Sequence, residues 1–191
     1  MVMKKIVLAS NSPRRRELVA MVWPEYEIAP ALDVDESYPE TLPAVDVPEY
    51  LSRLKAAAYK DSIDIDAILV TADTVVVVDG VILGKPHDRT EAIAMLRMLS
   101  GRKHSVITGV SLTHKETVYS FSETTEVEFG VLSDDEIAFY VDTYRPYDKA
   151  GAYGIQEWIG CVAIKGIKGC YYNVMGLPLH SLYRRINDIE S

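Results

Sequence analysis

The run from Ile65 to Val78 constrains this chain more than any other stretch. Ala67-Ile68-Leu69-Val70 is nearly continuous apolar sequence, and Val75–Val78 resumes it. A strand without inward–outward alternation is covered on both faces, as at the centre of an α/β sheet. Asp79-Gly80 then supplies hairpin turn chemistry before Val81-Ile82-Leu83 returns. Between the two apolar halves lies Thr71-Ala72-Asp73-Thr74. A carboxylate in this setting is costly unless it is paired, protonated or placed at an open strand end. Asp73 therefore needs a partner, and either a metal or a basic side chain would supply it.

The amino-terminal stretch has the same strand-to-helix logic. Ile6-Val7-Leu8 reads as a short buried strand, and Ala9-Ser10-Asn11 as a tight polar loop. Ser12 is a suitable helix cap and Pro13 suits the first helical position. Leu18, Val19 and Val22 give the helix one apolar face. Arg14 and Arg15 occupy its first turn, where the helix dipole disfavours cations. Local stability does not explain them; binding an anion such as a polyphosphate does, and a solvated basic turn is the plain alternative.

Further along, Trp23–Ala29 predicts a short strand and Ala31–Pro48 an acidic, proline-rich loop. Glu49–Ser62 has helical spacing and carries Lys55. Asp88-Arg89-Thr90-Glu91 and Ser133-Asp134-Asp135-Glu136 read as capping boxes opening two helices, the first closed by Gly101. His104–Thr113 and Thr117–Phe129 alternate and predict two long antiparallel strands. The glycine-rich region from Gly160 to Gly169 reads as strand and turns. The last helix follows Gly176-Leu177-Pro178 and runs to about Ile189.

Totals narrow the possibilities. A chain of 191 residues, 48% hydrophobic and 25% charged, can bury a sizeable core. A net charge of -8 argues against a general nucleic-acid-binding surface. The apolar run after the basic Met1–Lys5 is too short for a signal or a membrane span. Two cysteines, Cys161 and Cys170, fit free, buried thiols in a reducing cytoplasm. The four histidines show no metal-finger spacing.

No P-loop, Rossmann or nucleophile-elbow signature is present. Gly84-Lys85-Pro86 lacks both the upstream glycine and the hydroxyl residue of a P-loop. A scattered polar set remains: Ser10, Arg14, Arg15, Glu36, Lys55, Asp73, Lys85, Asp148, Lys149 and Gln156. Several lie at strand ends, where open α/β sheets place ligands. Cations for phosphates with carboxylates for Mg²⁺ suit phosphoanhydride chemistry. The same residues also suit ordinary solvated turns and surface positions.

Taken in order, Leu8-Ala9-Ser10-Asn11-Ser12-Pro13-Arg14-Arg15, Asp35-Glu36, Ala72-Asp73-Thr74-Val75-Val76, Gly84-Lys85-Pro86, Asp148 through Gln156 and Asn173 through Pro178 resemble the successive motifs of the Maf family of nucleotide pyrophosphatases. The resemblance spans nearly the whole chain as one domain, 1–191. It implies a mixed α/β fold, an elongated central mixed sheet flanked by helices, with two lobes around a cleft. It implies a hydrolase using Mg²⁺ or Mn²⁺ that cleaves a nucleoside triphosphate to monophosphate and pyrophosphate. Asp73 matches the family's proton acceptor, with direct activation of water or metal binding both open. Glu36 matches a metal-binding carboxylate. Ser10, Arg15, Lys55 and Lys85 match residues that hold the triphosphate. Arg14, Thr74 and Gln156 match the branch acting on dTTP and UTP, and a glutamine amide both donates and accepts, as a uracil or thymine edge requires. Glu157 departs from the glycine common in relatives. A non-catalytic nucleotide-binding regulator and a purine-preferring relative are the competing expectations. The resemblance also implies a homodimer, with Tyr and Val of Thr117–Phe129 suited to self-pairing.

Overall fold

The computed structural model describes residues 4–59 and 63–189. Strand β1 (Ile6–Ala9) leads to α1 (Pro13–Val22), and β2 (Glu27–Ile28) follows. Next come α2 (Val47–Ala58), β3 (Ile68–Val78), β4 (Val81–Leu83) and α3 (Arg89–Leu99). The long strands β5 (Lys103–His114) and β6 (Thr117–Phe129) precede α4 (Asp134–Tyr144). The carboxyl-terminal part holds α5 (Trp158–Ala163), β7 (Ile164–Lys168), α6 (Tyr171–Val174) and α7 (Leu179–Asp188). The strands form one mixed seven-stranded sheet in the order β2-β1-β3-β5-β6-β7, with β4 paired to β3. β1 is parallel to both β2 and β3, whereas β4 is antiparallel to β3 and β7 to β6.

The predicted central strand is β3, whose first five residues are buried without alternation. It begins at Ile68 rather than Ile65. The Asp64 carboxylate accepts from the Asp66 N–H at 3.1 Å, and the Asp64 carbonyl accepts from the Ala67 N–H at 3.0 Å, so an aspartate turn takes up those residues. The Trp23–Ala29 strand shortens to two residues for a similar reason, a turn in which the Tyr26 N–H donates to the Trp23 carbonyl. The helix expected over Glu49–Ser62 starts at Val47, with proline in its first turn; Ser62 lies outside the described residues.

Both predicted caps hold, one with a twist. Ser133 forms the full reciprocal box with Glu136. Asp88 accepts from the Glu91 N–H, but the Glu91 carboxylate reaches one residue further back, to the His87 N–H at 2.7 Å. The short helix α5 takes the start of the expected strand-and-turn region, β7 is its strand, and α6 follows it; neither helix is opened by a side-chain cap. The cysteines are not buried: Cys161 is exposed and Cys170 half-exposed, both as free thiols.

Two compact units share the chain. The first groups the described residues through Asp73 with Thr108–Glu123 and those from Gly176 onward; the second holds Thr74–Ile107 and Thr124–Met175. Within the first unit, α2 lies hard against β5. A Cβ at Gly109 would fall 2.2 Å from the Glu49 nitrogen and the Pro48 carbonyl carbon, so only glycine permits this approach. The Thr71 hydroxyl donates to the Ser52 carbonyl at 2.8 Å, and the Ser52, Ser111 and Ser120 hydroxyls form a chain at 2.8 Å per link. In the second unit, Val76, Leu96, Phe129, Tyr140 and Ile155 belong to one apolar core. None of the described helices is long and apolar enough to cross a membrane.

Candidate active site

In the first unit, the strand–loop–helix at the amino terminus folds as its residues dictate. The Ser12 N–H donates to the Ser10 hydroxyl at 3.2 Å, turning the chain, and the Ser12 side chain caps α1. Arg15 then reaches away from its own helix. Its Nη1 donates to the Ala72 carbonyl at 2.9 Å and its Nε to the Gly176 carbonyl at 2.8 Å. Burial pulls its pKa down, the charges of Asp73 and Glu36 oppose that shift, and Arg14 adds to it. A guanidinium fork held on two backbone carbonyls is a fixed positive wall beside Asp73.

Asp73 meets its basic partner on α2. Lys55 Nζ lies 2.7 Å from Asp73 Oδ1 and 3.1 Å from Glu36 Oε2. The Lys55 and Asp73 side chains are each 15% exposed, while Glu36, in the acidic loop, is half-exposed. Breaking so buried a pair from one side costs about 3 kcal/mol, because the remaining charge is left poorly solvated. Two carboxylates therefore converge on one point, and a cation stands there. Among the described residues no three His, Cys, Asp or Glu side chains gather to cage a metal. Two carboxylates with substrate oxygens and water are nonetheless a normal Mg²⁺ donor set, so the residues present fit a divalent ion.

The second unit carries Thr74, Lys85 and Gln156. Thr74 is half-buried on β3, and Lys85 and Gln156 are exposed. The loop leading to Gln156 is tied to the turn that holds Lys85: the Gly151 N–H donates to the Gly84 carbonyl at 3.0 Å. Gly151 has φ +67°, and a Cβ there would meet Val76 at 2.9 Å. Ile155 is buried, which fixes the base of the loop and leaves Gln156 pointing out of the core.

Sequence reasoning missed the support beneath that loop. Lys149 is 8% exposed and lies 2.8 Å from Asp148 and 3.1 Å from Glu157. The Tyr140 hydroxyl donates to Glu157 and accepts from the Gly154 N–H. Burial, then the bond to Glu157, raises the Tyr140 pKa, which keeps the hydroxyl a donor. Glu157 stood out in the sequence only as an unusual neighbour of Gln156. Nothing in the sequence pairs it with Tyr140, 17 positions away.

A family model described as Maf-like protein matches residues 5–189. The chain belongs to the Maf family. A dTTP/UTP pyrophosphatase from Bacteroides fragilis is 53% identical over 185 residues, covering 97% of this chain and 96% of that protein. Proteins of the same name from Bacteroides thetaiotaomicron and Porphyromonas gingivalis are 51% and 53% identical, covering 97% and 96% of this chain and 96% and 94% of theirs. Among solved structures, a HAM1 protein from Coxiella burnetii aligns over 98% of this chain and 100% of its own, with a TM-score of 0.49 and 17% identity. Of the motifs quoted above, Asp35-Glu36 and Ala72-Asp73 thus lie in a Maf chain with their carboxylates Glu36 and Asp73 meeting at Lys55.

Proposed function

We propose that the chain hydrolyses dTTP and UTP to the monophosphate and pyrophosphate, removing these and modified pyrimidine triphosphates from the nucleotide pool. The observation that carries this reading is the convergence of Asp73 and Glu36 on one cation-binding point, beside the fixed Arg15. Relatives named dTTP/UTP pyrophosphatase at about half identity support the substrate class.

In this reading Asp73 and Glu36 would hold Mg²⁺ or Mn²⁺, which would stabilise charge on the phosphates and acidify water. Asp73 acts either through the ion it would hold or as the direct acceptor of the attacking water's proton. Ser10, Arg15, Lys55 and Lys85 neutralise the triphosphate and the leaving pyrophosphate. Arg14, Thr74 and Gln156 select the base, with the Gln156 amide pairing to the carbonyl and imide edge of uracil or thymine. The free thiols suit a cytoplasmic setting. The exposed Val118 and Tyr119 on β6 suit a homodimer, which light scattering at micromolar concentration tests: a stable monomer refutes it.

The decisive assay measures pyrophosphate released from dTTP, UTP, CTP, GTP and ITP with Mg²⁺ or Mn²⁺. Turnover of dTTP and UTP is expected, with a loss of at least about 100-fold in Asp73→Asn. No release from any substrate, or undiminished release by that variant, overturns the mechanism. Tight binding without turnover points instead to a regulator, and faster GTP or ITP hydrolysis to a purine-directed enzyme.

A further inference from the structure

Lys55 stands where a divalent ion would go. Its ammonium bridges Asp73 and Glu36, both within 3.1 Å, and its stem is packed so that only 15% of the side chain is exposed. Two carboxylates this close repel one another in a partly dry site, and an ammonium between them removes that repulsion. Arg15 cannot leave, because its fork is committed to the Ala72 and Gly176 carbonyls. Lys55 can: its charge is a point on a flexible four-carbon stem with rotatable bonds. The two cations beside Asp73 thus have different mechanical roles, one fixed and one movable.

We propose that Lys55 is a resident counter-cation that a divalent ion must displace from Asp73 and Glu36. The inference rests on the metal use proposed above. In the free protein Lys55 satisfies the two carboxylates. When the ion takes them, the ammonium is released toward the nearest remaining anion, the triphosphate chain. Metal without nucleotide then binds against Lys55 and is weakly held, and metal with nucleotide binds with Lys55 rehoused. With Arg15 counted, two carboxylates and two cations balance, so the ion enters by exchange with Lys55 rather than by filling a vacant site.

The test reads metal binding rather than turnover. Mn²⁺ is titrated into the nucleotide-free protein and followed by calorimetry or by loss of the free-ion paramagnetic resonance signal. Lys55→Met removes the rival cation, and Mn²⁺ affinity is expected to rise by about tenfold or more. Lys55→Gln, neutral but polar, gives the same readout if the methionine variant fails to fold. Lys55→Arg keeps the charge and is expected to bind Mn²⁺ no more tightly than the wild type. If Lys55 instead only holds the carboxylates in place, the neutral variants bind Mn²⁺ equally or more weakly, and the inference is overturned while the metal-dependent reading stands. Mn²⁺ binding by no nucleotide-free form, the neutral variants included, overturns the inference, while pyrophosphate release that needs no divalent ion overturns the metal-dependent reading itself.

Discussion

Glu157 shows how one side chain can stabilise a loop beside an exposed amide, that of Gln156. It accepts from Tyr140 and faces Lys149, which is buried and also faces Asp148. Glu157→Gln keeps the shape and removes the charge, leaving Lys149 with the half-exposed Asp148 alone. Between the roughly 1 kcal/mol of a surface pair and the 3–5 kcal/mol of a fully buried one, a cost of about 2 kcal/mol is expected. The loop carrying Gln156 should loosen as well. KM for UTP is expected to rise several-fold with a smaller change in kcat, and combining the change with Lys149→Met should cost less than the two losses summed. An unaltered melting temperature and KM would remove Glu157 from this role. The contrast with Asp73 explains what the sequence could reveal. Asp73 was conspicuous because a carboxylate interrupts an apolar strand, a local anomaly. Its partner Lys55 sits on a helix predicted from spacing alone, and their meeting depends on how that helix docks. Tyr140 carried no local anomaly, since an aromatic on a helix face is ordinary core sequence.

At the scale of elements, the docking of α2 sets the Lys55–Asp73 distance. Ser52 and Lys55 lie nearly one turn apart on α2, and Thr71 and Asp73 share one face of β3. The Thr71–Ser52 bond and the hydroxyl chain through Ser111 to Ser120 therefore fix the helix next to the ion pair. Gly109 lets the backbones close up. Gly109→Ala forces α2 outward and is expected to cost about 3 kcal/mol, near the upper end for overpacking, lowering the melting temperature by about 5 °C or more. Thr71→Val is gentler. It removes one donor from a buried carbonyl at nearly constant volume and should cost about 1–2 kcal/mol. If α2 placement matters to the site, both changes also lower kcat for UTP, in the same order as their stability losses. Full kcat in a destabilised Gly109→Ala protein would separate fold support from site geometry. The long elements were legible: β3, β6, α3 and α4 follow from apolar runs, alternation and caps. The short ones, α5 and α6, were not, because four to six residues hold too little periodicity and their ends lack capping side chains. Gly109 was likewise silent, since a glycine within an alternating strand does not reveal which helix it admits.

For the molecule as a whole, His104 makes stability depend on acid. It is 3% exposed, edge-on to Phe129 and Tyr153 with ring centroids 4.9 and 5.4 Å away, and its Nε2 lies 2.8 Å from the Tyr153 hydroxyl. Nδ1 is buried with no hydrogen-bond partner. Burial lowers the His104 pKa from 6.5 to about 4, because the core cannot solvate an imidazolium. In the unfolded chain the same group titrates near its ordinary value. Above pH 6.5 the ring is neutral in both states and contributes no pH dependence. Between pH 6.5 and about 4 the unfolded chain binds a proton that the folded one refuses, so stability falls with pH by up to 1.4 kcal/mol per unit. Below about 4 both states are protonated and the loss levels off at about 3 kcal/mol. His104→Gln retains a hydrogen-bonding end for Tyr153 and cannot titrate. Denaturant unfolding of wild type and variant from pH 7.5 to 4 is expected to give two curves that converge toward acid by about 3 kcal/mol, with the wild type falling more steeply. Parallel curves would mean that the ring reaches water or a proton acceptor in solution and that acid sensitivity arises elsewhere.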